Sequence, residues 1–559
     1  MRKDILLKNK LAILLFIVLL AGVFRFWQLS RYPVSLTIDE AAVGYNAYSI
    51  LKTGRDEHGE FLPLAFLSIG DYKPPLHIYL AVPTIAIFGL SELGVRFSMA
   101  LFSTLTVISV FLLIRQLTKN EIIALLSSFF LAISPWHIHP ARFSYEVTLG
   151  LFLIVTAVWL FLLAFEKKKH FLWVSAILFV LSMYAYHAER IFTPIFVLGL
   201  VIIFWKVITK HKVAILKAIV IGGILLIPLI QVLMGPAGQT RASTVFITKD
   251  PLLQSELKKD KSNQNLAGKI LDNNLVVIAN HWTKKYLNYF DPGFLFFSGM
   301  DFTQPGRPDV GLFYLFELPL FILGSWFVFV TRAYEHKKLV LFWLLAGPVV
   351  ASLTIEEQHF ARNLVTLPPF LFIISIGAWE LSKMIAKQKL IFKVATYAFL
   401  TLIVVLNVGY FLNIYFINYP IQRSEYWQYG WKEAAIYAWQ NNDKYREIVV
   451  DPTFGSEGPN IVGTPPAYFL FYGKYDPTLY QKSSRRTDKL STNFENFTFR
   501  PIYWPNDRSR ADTLFIGSPW VLPRKDIADS QIKSVIKFKN GVDGILIVES
   551  KGNEIIPLE

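Results

Sequence analysis

Long apolar segments recur along most of the chain, and they constrain its fold more than any other feature. A helix needs about 20 predominantly apolar residues to cross the hydrocarbon core of a bilayer, and runs near that length predict about eleven membrane-spanning helices. We therefore expect a mainly α, polytopic membrane protein with additional interfacial helices. The runs are 11–29, 94–113, 122–135, 147–165, 171–186, 191–205, 213–234, 311–331, 339–354, 364–381 and 391–416.

The composition agrees with a membrane protein and excludes other classes. Of the 559 residues, 53% are hydrophobic and only 17% are charged, whereas soluble proteins carry about 25% charged residues. Lysine and arginine total 56 against 41 acidic residues, a formal net charge of +15. Many of these basic residues lie in short loops between apolar runs, where they report membrane orientation rather than nucleic-acid binding. The lack of cysteine excludes disulfides and thiolate metal sites.

The first apolar run, 11–29, predicts the location of the N-terminus. It follows Arg2, Lys3, Lys8 and Lys10. It is too long for the core of a typical signal peptide, and no small-residue cleavage site follows it. We therefore expect a retained span in a cell (plasma) membrane, with the N-terminus cytoplasmic.

The apolar segment 76–90 decides the topology, because it is too short to cross a bilayer comfortably. If it lies in the interface, the basic loops between spans fall on the same side as the basic N-terminus. If it crosses, they move to the opposite side. The positive-inside rule favours an interfacial helix and an extracytoplasmic C-terminus. The loops carry Arg115/Lys119, Lys167-Lys168-Lys169, Lys206/Lys210/Lys212, Arg332/Lys337/Lys338 and Lys383/Lys387/Lys389.

The remaining polar segments predict the domain organisation. Residues 1–418 are expected to form a multispan membrane domain with two large outer loops, 30–93 and 235–310. The composition changes after the last span, and 419–559 is expected to form a small extracytoplasmic α/β domain. Hydrophobic periodicity and turn residues predict its elements. These are a helix over 424–439 and strands over 447–450, 513–516, 534–538 and 544–548, the last two joined by an Asn540-Gly541 turn.

An acidic pair, Asp39-Glu40, directly follows the first span. Thr37 and Glu40 have the spacing of a capping box, which would place Asp39 in the first turn of a helix. The positive end of that helix favours an ionised carboxylate. Asp39 is therefore a candidate catalytic carboxylate or merely a favourable first-turn acid. Glu40 is a second catalytic candidate, but its spacing from Thr37 fits a capping role better than a catalytic one.

A lysine beside two prolines, Lys73-Pro74-Pro75, ends the same outer loop. Proline restricts the residue before it to an extended conformation, so Lys73 is held at a defined point. A lysine ammonium is a compact charge suited to phosphate. The competing interpretation is a lysine that snorkels at the start of an interfacial helix. Tyr72, its neighbour, is a candidate substrate-site residue.

Further ionisable residues interrupt the apolar runs on the predicted outer side. Such residues usually face a cavity or a partner, so Arg142, Arg190 and Arg362 are candidates for binding a donor phosphate. Pairing within the chain, such as Glu189 with Arg190 or Glu357 with Arg362, is the alternative. His137 and His139 are weak evidence for a metal, because two histidines at i and i+2 form a polar rim equally well. His187, Glu189 and His359 are candidate substrate-site residues.

These residues together resemble a known family, the glycosyltransferase C (GT-C) superfamily. The resemblance rests on the Asp39-Glu40 pair after the first span, the loop ending in Lys73-Pro74-Pro75-Leu76, and the motif at 88–92 before Val95-Arg96. It is strongest over 11–142, continues to 416 as a multispan pattern, and does not cover the C-terminal domain. The nearest branch contains the protein O-mannosyltransferases and bacterial aminoarabinose transferases of the family 39 type.

The resemblance implies a GT-C-type helical bundle that transfers a sugar from a polyprenyl-phosphate donor in the bilayer to a protein or glycolipid acceptor. It places Asp39 at the catalytic acid position and Lys73 at the position facing the donor phosphate. It implies no uniform metal requirement, so a divalent cation is compatible with it and none is assigned. General-base catalysis by Asp39 with inversion agrees with the residue chemistry.

The rival interpretation is a transporter or flippase of polyprenyl-linked sugars. It predicts ionisable groups at mid-membrane depth and paired discontinuous helices. The polar clusters of this chain lie instead at one end of the spans, and no internal repeat is evident. A scaffold for the C-terminal domain would leave the outer charges unexplained. The sequence therefore favours the transferase.

Overall fold

The structure is a computed structural model, and it describes residues 2–68, 70–166, 168–238, 245–259, 273–299, 310–331, 334–456, 461–483 and 493–552. Contacts divide the chain into two compact units. The helical unit comprises Met1–Trp27, Met99–Ala141 and Tyr145–Phe411. The mixed unit comprises Gln28–Ser98, Arg142–Ser144 and Leu412–Glu559.

Each predicted apolar run forms a helix. Among the residues that the structure describes, six helices are long and apolar enough to cross a membrane, and the bent pair Glu121–Ile133 and Pro135–Arg142 can supply a seventh crossing. The other apolar helices are shorter, so the predicted number of spans stays a prediction. The helices at the predicted runs are Arg2–Phe26, Glu92–Thr118, Glu121–Ile133, Val147–Glu166, Phe171–Ala185, Glu189–Ile203, Lys212–Met234, Glu317–Ser325, Lys337–Ser352, Leu367–Ala386 and Leu390–Asn413.

A buried arginine forms hydrogen bonds between helices of the helical unit. Arg25 is fully buried, and it donates hydrogen bonds to the carbonyl oxygens of Leu131 and Ala132 and to Ser103 Oγ at 2.7–3.1 Å. Its Nη2 lies 2.8 Å from His137 Nδ1. Because arginine can only donate, His137 accepts at Nδ1. His137, weighed from sequence as a metal ligand, is thus a partner of Arg25.

The predicted second outer loop, 235–310, is described only in part. It contains the helices Pro251–Leu257 and Asn274–Asn288 and a π-helix, Gly293–Ser298. Asp250 accepts from the amide of Leu252 at the start of the first helix. It also lies 2.6 Å from the ammonium of Lys285 and 3.0 Å from His281 Nε2.

The mixed unit contains a five-stranded sheet of order β6-β3-β7-β9-β8. In it β3 is parallel to β6 and β7, and β9 is antiparallel to β7 and β8. The strands predicted for the C-terminal segment are confirmed, including the β8–β9 hairpin. The strands are β1 Phe66–Ser68, β2 Asp71–Lys73, β3 Glu447–Val450, β4 Thr453–Phe454, β5 Ile461–Val462, β6 Phe497–Phe499, β7 Thr513–Gly517, β8 Ile532–Lys537 and β9 Asp543–Ser550.

The helix predicted over 424–439 begins later than expected. It runs over Trp431–Gln440, and Gly430 before it has φ of 115°. A positive φ of this kind ends regular helical geometry and is accessible to glycine. The segment before Gly430 therefore forms turns. Further helices of the C-terminal segment are Tyr419–Gln422, Pro465–Gly473, Pro477–Ser483 and Trp504–Asp507.

The first outer loop shares a hydrophobic core with the C-terminal segment. Its helices are Ile38–Thr53 and Pro75–Phe88, and Tyr45 and Ile78 from these helices belong to one buried cluster with Trp431. Gly44 permits the close approach, because a Cβ there would lie 2.4 Å from the ring of Phe471. The sequence did not predict this association, and the proposed domain division at residue 418 stays a prediction.

The helix Pro75–Phe88 has 14 residues. At 1.5 Å per residue it is about 21 Å long, shorter than the ~30 Å hydrocarbon core of a bilayer. This length agrees with the interfacial helix expected from the charge distribution.

Candidate active site

Asp39 lies in the first turn of the helix Ile38–Thr53, as predicted. Thr37 accepts a hydrogen bond from the Glu40 amide at 3.1 Å, and its own amide donates to Glu40 Oε2 at 2.8 Å. Both halves of the capping box are therefore present. The box fixes the start of the helix, and the Asp39 side chain remains 63% exposed.

Lys73 contacts Asp39 directly. Its Nζ lies 2.8 Å from Asp39 Oδ1. Lys73 ends the strand β2, and Pro74 follows with extended backbone angles before the next helix begins at Pro75. The short β1–β2 hairpin and the two prolines thus position the ammonium against a carboxylate that comes from a separate helix. Tyr72 belongs to the same strand and pairs with Leu67 of β1.

Glu40 forms a buried ion pair with Arg96. Arg96 Nε donates to Glu40 Oε1 at 2.7 Å, and Arg96 Nη2 donates to Oε2 at 3.2 Å. Both side chains are almost completely buried. Burial raises the pKa of Glu40, and the Arg96 guanidinium opposes this rise. The structure therefore gives Glu40 a clear structural role, whereas Asp39 presents an exposed carboxylate.

Arg96 also holds the chain that precedes the acidic pair. It donates to the carbonyl oxygens of Leu29, Pro33 and Ser35 at 3.1, 3.0 and 2.6 Å. A guanidinium has five N–H donors, and here they are divided between Glu40 and these carbonyls. The pair therefore fixes both the backbone before Asp39 and the helix that carries it.

His77 is a residue of this site that sequence reasoning missed. Its Nε2 lies 2.9 Å from Ser144 Oγ, which itself donates to the carbonyl oxygen of Val95. Since the single hydroxyl proton is used there, His77 Nε2 must carry the hydrogen and donate. Burial lowers the pKa of His77 to about 4, while Asp39 acts to raise the value and Lys73 to lower it. The imidazole is therefore neutral near pH 7. Its position one turn after Pro74-Pro75 was the available signal.

Arg142, a candidate for the donor phosphate, is buried within the mixed unit. Its guanidinium lies over the rings of Phe416 and Tyr415, at 4.9 and 5.8 Å from their centroids. Its Nη2 also donates to the carbonyl oxygen of Tyr32 at 3.1 Å. Cation–π contact of this kind holds an arginine in place without neutralising its charge.

In the helical unit, Arg362 pairs with Glu356 rather than with Glu357, the partner considered from the sequence. Arg362 Nη2 donates to Glu356 Oε1 at 3.0 Å, and Nη1 donates to Thr354 Oγ1 at 2.8 Å. Burial acts to raise the pKa of Glu356, but the Arg362 hydrogen bonds outweigh it and lower the value to about 2. Glu357 instead accepts from Asn288.

The other candidates of the helical unit are held by local contacts. His359 stacks on Phe360, and its Nδ1 lies 3.3 Å from the Arg362 amide nitrogen. Arg190 Nε donates to the carbonyl oxygen of Met183 at 3.2 Å. Glu189, which begins the helix after His187, is 2% exposed. Arg362 and His359 are thus adjacent in this unit, as their sequence spacing suggests.

No group of three or more histidine, aspartate or glutamate side chains that could hold a metal ion occurs among the residues the structure describes. His139, the other weak metal candidate, contacts the ring of Phe360 at a centroid distance of 5.6 Å. The sequence expectation that a divalent cation is compatible with the chain stays a prediction.

Part of the chain matches a known protein family. Residues 72–231 match the family described as dolichyl-phosphate-mannose-protein mannosyltransferase. The matched segment begins at Tyr72, so it includes Lys73 and Arg142 but not Asp39. A relative described as an uncharacterized protein of Aquifex aeolicus (strain VF5) is 33% identical over 145 residues, which are 24% of this chain and 29% of the relative.

Two solved structures share the fold of the chain. ArnT from Cupriavidus metallidurans in the apo state has a TM-score of 0.51 and 10% identity, with 98% of each chain covered. The archaeal oligosaccharyltransferase AglB from Archaeoglobus fulgidus, in complex with an inhibitory peptide and a dolichol-phosphate, has a TM-score of 0.50 and 14% identity. That match covers 83% of this chain and 63% of AglB. The chain thus spans less than two thirds of AglB and of the Aquifex relative.

The resemblance predicted from the acidic pair and the Lys-Pro-Pro loop is confirmed by these matches. At these identities the solved structures establish the fold, and the family match covers a defined part of the chain. The chain is a multi-pass membrane protein that shares its fold with ArnT and AglB, and its residues 72–231 match the dolichyl-phosphate-mannose-protein mannosyltransferase family.

Proposed function

We propose that the protein is an inverting membrane glycosyltransferase, which moves a sugar from a polyprenyl-phosphate donor to an acceptor hydroxyl on the extracytoplasmic face. The observation that carries the proposal is the 2.8 Å contact between Lys73 and the exposed carboxylate of Asp39. The family match and the shared fold support the reaction class.

Asp39 is the general base in this proposal. Its carboxylate accepts the proton of the acceptor hydroxyl while the acceptor oxygen attacks the anomeric carbon. The new glycosidic bond forms as the bond from the anomeric carbon to the phosphate oxygen breaks, and the phosphate leaves with the electron pair. A positioned base of this kind contributes roughly 10²–10⁴ in rate. The exposure of Asp39 supports this role, because an acceptor can reach it.

Lys73 stabilises the leaving phosphate. Negative charge grows on the bridging oxygen as the bond breaks, and a preorganised cation there lowers the barrier. The ammonium also pairs with Asp39. A donor phosphate beside Lys73 would share its ammonium with Asp39. Glu40, also a catalytic candidate from the sequence, supports the site structurally in this scheme.

Arg142 is the second cation that we assign to the phosphate. It belongs to the same unit as Asp39 and Lys73, and its aromatic contacts leave its charge intact. Arg362 is less suited, because Glu356 neutralises it. Arg190 stays a candidate for the donor phosphate from the sequence. Tyr72, His187, Glu189 and His359 stay substrate-site candidates.

The implied partners are a polyprenyl-phosphate sugar donor, the bilayer, and a protein or glycolipid acceptor. AglB was solved in complex with an inhibitory peptide and a dolichol-phosphate, which supports a lipid-linked donor for a chain of the same fold. The basic loops support an orientation in which the N-terminus is cytoplasmic and the mixed unit extracytoplasmic.

The proposal is tested by sugar transfer from a radiolabelled polyprenyl-phosphate sugar pool in membranes. Asp39→Asn keeps the shape of the side chain and removes the base, so transfer should fall at least 100-fold while donor binding and expression are retained. Asp529→Asn, at an exposed position of the C-terminal segment, is the matched control and should transfer normally. Unchanged transfer by Asp39→Asn would remove Asp39 from the mechanism. Movement of labelled lipid between leaflets without any transfer would establish the flippase instead.

A further inference from the structure

The mixed unit contains a cavity that the proposed reaction does not use. Its volume is about 680 Å³, and neither Asp39 nor Lys73 lines it. Its walls come from the chain at 30–35, from the end of the last apolar helix at 416–421, and from the region of Tyr429 and Lys432. The lining includes both basic and apolar side chains.

One wall is basic. Arg31, Lys432 and Lys539 line the cavity. Lys432 is neutralised by Glu92, whose Oε1 lies 2.6 Å from its Nζ. Lys539 instead lies over the ring of Tyr429, 4.5 Å from the centroid. Within the part of the chain that the structure describes, neither Arg31 nor Lys539 forms an ion pair with a carboxylate, so both retain charge for a ligand.

Another part of the lining is apolar and belongs to a membrane-length segment. Phe416, Ile417, Pro420 and Ile421 line the cavity, and they end the apolar segment Leu390–Gln422, which is long enough to cross a bilayer. Ile417 and Ile421 are 56% and 46% exposed. The cavity therefore adjoins the end of an apolar segment of membrane-spanning length, and its lining combines apolar side chains with cations.

We propose that this cavity binds the phosphate group of a membrane lipid. Arg31 and Lys539 contact the phosphate oxygens, since a guanidinium and an ammonium are the usual phosphate-binding side chains. Ile417 and Ile421 contact the first part of the lipid chain. Glu433 lines the same cavity, and its Oε2 is buried without a hydrogen-bond partner among the described residues, so it can accept from a hydroxyl of the headgroup.

The shared chemistry, a lipid phosphate, can come from two sources. One is an anionic phospholipid of the bilayer, such as phosphatidylglycerol, whose headgroup also carries hydroxyls. The other is a polyprenyl monophosphate. Binding at this cavity requires no sugar transfer, so it can be measured whether or not the proposed reaction occurs.

The test is lipid binding to the full chain in detergent micelles, measured by native mass spectrometry with titrated lipid. The probes are phosphatidylglycerol, undecaprenyl monophosphate and, as a lipid without phosphate, diacylglycerol. Arg31→Gln with Lys539→Gln should weaken binding of a phosphate-bearing lipid about tenfold or more, since each basic residue near a membrane surface contributes to anionic lipid binding. The exposed Lys525 and Lys551, changed together to glutamine, remove the same charge outside the cavity and should leave binding unchanged.

The source follows from which probe is affected. Weakened binding of phosphatidylglycerol identifies a bilayer phospholipid, and weakened binding of undecaprenyl monophosphate alone identifies the carrier. Either result supports the cavity. Wild-type affinity of the double variant for both lipids overturns the proposal, as does equal binding of diacylglycerol. Lys539→Gln alone, at an exposed position, should weaken lipid binding by a smaller factor. This single variant replaces the double variant in the test if the latter folds poorly.

Discussion

The ammonium of Lys73 lies 2.8 Å from Oδ1 of Asp39, so the proposed base and the proposed phosphate-binding residue contact each other directly. The two side chains come from different elements, a short hairpin strand and the first turn of a helix. Their contact makes the two roles interdependent. A change at Lys73 should affect both donor binding and the position of the Asp39 carboxylate.

Lys73→Met should therefore lower kcat for sugar transfer as well as weaken donor binding. The ammonium stabilises the leaving phosphate in the transition state, and loss of one such electrostatic contact typically costs roughly 10²–10³ in kcat. Lys73→Arg should restore part of the activity, because it keeps the charge with a different geometry. The measurement is kcat and KM for the polyprenyl-phosphate sugar in proteoliposomes.

Lys52→Met is the control for this series, since Lys52 is an exposed lysine of the helix that carries Asp39. It should leave both constants unchanged. A rise in KM with unchanged kcat in Lys73→Met would contradict a transition-state role and indicate that Lys73 only binds the donor.

Glu40→Gln separates structure from catalysis at the acidic pair. The change leaves the buried Arg96 guanidinium without its carboxylate, and breaking a buried pair in this way costs about 3–5 kcal/mol. We expect a clearly lower melting temperature in detergent, measured by tryptophan fluorescence. Glu60→Gln, on the same loop, should melt as the wild type. A Glu40→Gln protein of normal stability that transfers no sugar would instead establish Glu40 as a catalytic residue.

Local patterns predicted the parts of this site that depend on neighbouring residues. The spacing of Thr37 and Glu40 predicted the capping box, and the prolines after Lys73 predicted its extended backbone, because each depends on interactions within a few residues. The apolar runs and the alternating strands of the C-terminal segment were predictable for the same reason. Most boundaries were shifted by only a few residues.

Long-range packing determined what the sequence did not predict. The Arg96–Glu40 pair joins residues 56 positions apart, and Arg25 reaches His137 over 112 positions. No spacing rule specifies such partners. The same limit applies to the core shared by Tyr45 and Trp431. The sequence offered Glu357 as one possible partner of Arg362, and the observed partner is Glu356, because the loop conformation, rather than helical spacing, determines which acid it contacts.

Acid should destabilise the helical unit through Asp250. Burial acts to raise the pKa of Asp250, but hydrogen bonds from Lys285 and His281 outweigh it and lower the value from 3.8 to about 2. A lowered pKa in the folded state adds stability above the unfolded value, and this stability is lost as the pH falls from about 4 to about 2. One pKa unit corresponds to about 1.4 kcal/mol, so the contribution has an upper bound of the order of 2 kcal/mol, which solvent screening of the pair reduces.

The check is the melting temperature of wild type and Asp250→Asn between pH 7 and pH 2.5. The variant should be less stable at pH 7, and the difference should shrink as the pH approaches 2.5. Asp291→Asn, a change at a more exposed acid of the same segment, should not alter the pH profile in this way. A difference that is constant over the whole pH range would show that ionisation of Asp250 contributes nothing to stability.

Gly44 tests the packing of the first outer loop against the C-terminal segment. In Gly44→Ala the new Cβ would lie 2.4 Å from Phe471 Cε2 and 2.7 Å from Val95 Cγ2, which requires both side chains to move. Overpacking of this kind costs about 1–3 kcal/mol, more than the ~1 kcal/mol that alanine gains over glycine within a helix. Gly22→Ala is the matched control, because its Cβ meets nothing within 4 Å. The control should melt at or above the wild-type temperature and Gly44→Ala below it. Since Gly44 lies in the helix that carries Asp39, the displaced packing should also lower transfer, and equal melting of the two variants would contradict the tight packing at Gly44.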